Sequence, residues 1–89
     1  MDENTMLDMM KVDLGISTTA YDARLAQLLQ VAEKAISEEG ITLSSDSIGD
    51  GNLVVIYAAW LWRKRDNSDE MPRMLRWLLN NRLFSEKVM

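Results

Sequence analysis

Leu53-Val54-Val55-Ile56-Tyr57-Ala58-Ala59-Trp60-Leu61-Trp62-Arg63-Lys64-Arg65 is the most informative stretch of this chain. Its first five residues, taken alone, suit a strand. The apolar run then continues from Ala58 through Trp62, which is helix length rather than strand length. The Arg-Lys-Arg end suits a helix C-terminus, where cations meet the negative pole of the dipole. Asp50 or Asn52 is placed to cap the other end. A helix that is apolar on every side belongs at the centre of a fold. The ten apolar residues from Leu53 to Trp62 are the longest such run, and a membrane span needs about 20.

Three further helices surround this one in the sequence. A short leading helix is expected over about Thr5 to Leu14, with Leu7, Met10 and Leu14 on one side and Met6 beside them. Asn4 or Thr5 would cap it, and Gly15 would end it with positive φ. A long amphipathic helix is expected from about Ala20 to Glu39. Its stripe is Tyr21, Leu25, Leu28, Leu29, Ala32 and Ile36, and Gly40 closes it. Thr19 followed by Asp22 reads as a short-armed capping box. The connector 41–51 is rich in Ser, Asp and Gly, with Ile41, Leu43 and Ile48 expected to tuck inward. Residues 66–70 read as a polar loop. Pro72 then reads as a first helical position, opening a last helix that ends near Leu83 or Phe84. The expected architecture is all-α, a small bundle of three main helices plus a short N-terminal helix.

The chain has 89 residues, so residues 1–89 hold one core and one domain. A chain of this size buries only about 60–65% of the surface its unfolded form exposes, which makes a lone monomer marginal. Hydrophobic residues are 47%, too many for a disordered chain. Cysteine and histidine are both absent. That removes disulfides, Cys or His zinc sites, thiol nucleophiles and every histidine-dependent triad. The opening Met-Asp-Glu-Asn-Thr is acidic and no apolar region follows, so no signal peptide is expected. The chain reads as soluble and intracellular, with no membrane contact.

Net charge is −4, unevenly distributed. Residues 1–50 carry three basic and ten acidic residues, a net of −7. Residues 51–89 carry seven basic and four acidic, a net of +3. This asymmetry has three readings: nucleic-acid contact by the basic half, head-to-tail association of copies, or chance clustering on a solvated surface. An acidic total opposes tight non-specific DNA binding, which needs many phosphate-neutralising cations.

Nothing in the chain reads as an enzyme. The acids fall at helix ends or in loops, and no HExxH, Walker, GxSxG or GxGxxG pattern occurs. Asp46, Asp50 and Asn52 only loosely resemble a calcium loop, because the EF-hand Gly and Glu framework is missing. No cofactor or metal is expected.

The aromatic and basic residues carry more. At about 100° per residue, Trp60 and Trp62 point nearly opposite ways, so one packs inside and the other meets a neighbouring element or molecule. In the last helix Met71, Leu75, Leu78 and Leu79 make the inward stripe. Trp77 and Phe84 lie about 160–180° from Leu75, beside Arg73 and Asn80. Trp and Arg are enriched in binding hot spots; the plainer reading lays Trp77 over a loop of its own chain. Arg82 falls within the apolar stripe, where it either snorkels or meets a carboxylate of this copy or another. The cluster Arg63-Lys64-Arg65 complements the helix end, contacts phosphates or pairs with an acidic neighbour. The candidate interface set is Trp62, Arg63, Arg65, Arg73, Arg76, Trp77, Asn80, Arg82 and Phe84.

Four stretches together resemble a known family. They are Met6-Leu7 with Met10-Lys11-Val12-Asp13-Leu14-Gly15-Ile16; Tyr21-Asp22 and Leu25 with Leu28-Leu29, Ala32, Ala35-Ile36 and Gly40-Ile41; Leu53 to Arg65; and Met71-Pro72-Arg73-Met74-Leu75-Arg76 with Leu79-Asn80-Asn81-Arg82. Their order and spacing resemble the small helical head–tail connector proteins, or DNA-packaging adaptors, of tailed bacteriophages and prophages. The resemblance spans nearly the whole chain. It implies a single connector-like domain that self-assembles into a dodecamer-like ring beneath the portal protein and offers a platform to a downstream head-completion or tail protein. It implies passage of DNA through the ring without sequence-specific binding, and no chemistry of its own. The implied location is the virion neck, with the host cytoplasm before assembly. The alternative is a small helical DNA-binding regulator using Arg63 to Arg65, Arg73 and Arg76.

Overall fold

A computed structural model describes residues 1–66 and 70–88. Four α-helices form, and no strand occurs among the described residues: α1 (Glu3–Leu14), α2 (Asp22–Glu38), α3 (Ile48–Arg63) and α4 (Arg73–Lys87). One 3-10 turn, Lys64–Asp66, extends α3. The polar-loop reading of 66–70 falls largely outside the described residues.

Helix α3 is central, as its all-round apolar sequence requires. It packs against each of the other three helices, most extensively against α2 and least against α4. Leu53, Val54, Val55, Tyr57 and Ala58 of α3 meet Met6 and Met10 of α1, the α2 stripe Leu25, Leu28, Leu29, Ala32 and Ile36, and Leu75 and Leu79 of α4 in one core. Ile41 of the connector joins them, and Leu43 lies half-buried against them. Two expected members stand outside. Tyr21 is exposed because it precedes the first turn of α2. Ile48 is 71% exposed because it opens α3 on the side away from the core.

Helix ends account for most differences from the sequence-based expectation. Helix α1 is capped by Asp2, not Asn4 or Thr5. The Asp2 carboxylate accepts from the Thr5 amide at 2.7 Å, so the helix starts at Glu3. Gly15 does end α1, at φ 71°. Its amide bonds the Val12 carbonyl and the Ile16 amide bonds that of Lys11, a Schellman closure. Helix α2 has no side-chain cap. The Thr19 carbonyl accepts from the Asp22 amide in a turn, and the Asp22 carboxylate meets Lys11 of α1 at 2.8 Å instead of reaching back. Helix α3 is capped by Ser47, whose hydroxyl accepts from the Asp50 amide at 3.1 Å, so neither Asp50 nor Asn52 is the cap. Pro72 lies one residue before α4, with extended ψ of 145°. Helix α4 runs on to Lys87, beyond the expected end.

Gly51 is buried because the chain start lies on it. A Cβ there would sit 2.8 Å from Met1 Cβ. The Met1 ammonium donates to the Ser45 carbonyl, which ties the N-terminus across the head of α3.

Candidate interaction surface

The nine candidate residues divide into two groups. Five are engaged within the chain. Trp62, at the end of α3, is half-buried. Its ring meets Tyr21 edge-on at 5.4 Å between centroids, and the Arg65 guanidinium lies 3.9 Å over it. Arg65 also donates to the Trp62 carbonyl at 2.7 Å, completing the C-terminal end of α3. Arg63 donates to the Asp13 carbonyl at 3.3 Å and so ties α3 to the end of α1. Arg76 meets Glu39 at 2.8 Å, linking α4 to the end of α2. Trp60, on the other side of α3, is half-buried too, with Tyr57 edge-on at 5.5 Å and Lys64 above it.

Arg82 is the fifth, and the simple snorkel does not describe it. Its Nε donates to Asp50 Oδ1 at 2.7 Å and its Nη2 to Asp50 Oδ2 at 3.2 Å. Nη2 also donates to the Thr42 carbonyl at 2.8 Å. The Ser44 amide donates to Asp50 Oδ2 at 2.8 Å, and the Thr42 amide donates to Glu86 at 2.8 Å. This network ties the connector to both α3 and α4. Asp50 is only 5% exposed. The Arg82 hydrogen bonds hold its carboxyl below the usual carboxylate range despite the opposing effect of burial. Arg82 is therefore committed to its own chain.

Arg73, Trp77, Asn80 and Phe84 all point outward from α4. Trp77 is not laid over a loop. Met74, Trp77, Phe84 and Val88 are between 61% and 67% exposed. Arg73 has no ion-pair partner among the described residues. Met74 and Val88 were not among the candidates, although their signal is in the spacing. Positions 74, 77, 81, 84 and 88 alternate steps of three and four, which is the seam pattern of a helix that pairs with another helix. Asn81 is the polar member of that seam. Leu75 and Leu79, on the opposite side, are buried against α3. Helix α4 thus has two apolar sides, and the protein covers one.

This surface offers hydrophobic area with an aromatic anchor and a basic edge, which is the chemistry of macromolecular contact. Among the described residues no group of acids could hold a metal ion, and no helix is long and apolar enough to cross a membrane. No family model, curated protein or solved structure matches the chain.

Proposed function

We propose that this protein is structural and works by self-association, as a phage or prophage head–tail connector that forms a ring beneath the portal. The outward side of α4 carries this reading: Met74, Trp77 and Phe84 lie exposed on a helix whose other side is already in the core, and Val88 is exposed just past its end. The bundle, three long helices and a shorter first one, supports the same reading. Portal protein, a downstream head-completion or tail protein, and DNA passing without sequence-specific contact are the partners it entails. The rival reading, a DNA-binding regulator, has less support because Arg63 and Arg76 already hold partners within the chain.

The test separates assembly from folding. Trp77→Ala and Arg73→Glu weaken self-association, measured by light scattering against concentration, while thermal melts stay within a few degrees of wild type. Equal loss of both properties makes Trp77 a core residue and defeats the reading. A connector gene is also expected directly downstream of portal, protease and major capsid genes.

A further inference from the structure

The outward side of α4 needs a covering surface, and its own copy in another molecule suits it poorly. Its apolar seam is edged by Arg73 and Lys87, at one end and the other. Two such helices packed antiparallel would set Arg73 against Lys87, like charge against like. The complement lies elsewhere on the same chain. Helix α1 exposes Val12 at 80%, with Met9 half-buried beside it. Asp8 and Asp13 flank these two residues, and together the four line an open depression of about 320 Å³. Asp8 and Asp13 make no side-chain ion pair with any described residue. Helix α1 packs on α2 and α3, while α4 packs on α3, and Val12 on the one and Met74 and Trp77 on the other are exposed in the same molecule.

We infer that α4 of one copy docks on α1 of the next, with Trp77 and Met74 over Val12 and Met9 and with Arg73 beside Asp8 and Asp13. The inference rests on the self-association proposed above and names its interface. The contact is heterologous, joining two different surfaces, so it propagates into a ring or a chain rather than stopping at a two-fold dimer. Opposite charge at its edge sets orientation and speeds encounter, and the apolar centre holds it.

Two variants with one blocked surface each test it. Trp77→Ala removes the anchor of α4, and Val12→Lys places a cation beneath Trp77 and Met74, next to the acids that Arg73 must approach. Both positions are exposed, and circular dichroism checks that each variant keeps its helices. Analytical ultracentrifugation up to about 1 mM protein, where even weak millimolar contacts register, is expected to show concentration-dependent growth for wild type. Each variant alone is expected to associate at least tenfold more weakly, and an equimolar mixture to form a 1:1 dimer, since one intact α4 and one intact α1 remain. Val12→Lys associating like wild type, or a mixture that stays monomeric, overturns the α1 docking while leaving self-association through α4 standing. Wild type remaining monomeric throughout, or Trp77→Ala behaving as wild type, overturns both.

Discussion

Asp50 and Arg82 show how one pair can organise a small domain. A buried carboxylate costs several kcal/mol in desolvation unless it is paired and hydrogen-bonded. Asp50 has both kinds of partner, in Arg82 and the Ser44 amide. Arg82→Ala would strand the charge, and we expect it to lower unfolding free energy by about 3 kcal/mol in urea titration. The pH dependence follows from the same pair. The carboxyl of folded Asp50 lies below its ordinary value, so the unfolded chain binds that proton more readily. The stabilisation is complete above about pH 4–5, near the unfolded pKa, and disappears as pH falls through the lower folded value. Asp50→Asn should flatten this acid limb when denaturation midpoints are measured between about pH 2 and 6. Asp2 contributes with the same sign, because the Thr5 amide lowers its pKa too. In the sequence, Asp50 reads as a helix-start acid and Arg82 as a long side chain at the edge of a stripe. Their pairing spans 32 positions, and no local pattern encodes a contact of that range.

Helix bodies were easier to read than helix ends. The stripes of α2 and α4 and the all-round apolar character of α3 follow from periodicity, which repeats over several turns and so averages out errors. A cap depends on one side chain among several eligible neighbours. Asp2, Asn4 and Thr5 all compete at α1, and Ser47, Asp50 and Asn52 at α3. Asp50 is drawn to Arg82, which leaves Ser47 to cap α3. Asp22 is drawn to Lys11, which leaves α2 uncapped. Gly15 was legible because positive φ after a helix narrows the choice to very few residue types. A Cβ at Gly15 would meet nothing within 4 Å. Gly15→Ala therefore carries only the left-handed backbone cost, about 1 kcal/mol. Gly15→Asn should recover much of it, and thermal unfolding of the two variants checks this.

Across the molecule, the acidic first half and basic second half are partly reconciled inside a single chain. Arg82 and Arg76 answer Asp50 and Glu39 across the fold, while Arg73 on α4 and Asp8 and Asp13 on α1 make no ion pair with any described residue. Folding and association should therefore separate. Leu79→Ala opens the core and is expected to cost about 2–5 kcal/mol in denaturant titration. Trp77→Ala should leave the same titration nearly unchanged. Composition and hydrophobic period were enough to establish an all-helical chain with α3 at its centre, because burial demands apolar residues at helical spacing wherever the chain ends up. They were enough to set Trp77 and Phe84 apart from the inward stripe. They did not reveal which cations are used internally. Trp62, Arg63, Arg76 and Arg82 all looked available until long-range packing brought Tyr21, Asp13, Glu39 and Asp50 beside them, while Arg65 folds back on Trp62 at its own helix end. A charge is spent or spare according to its neighbours in space, and those are fixed only when the helices have docked.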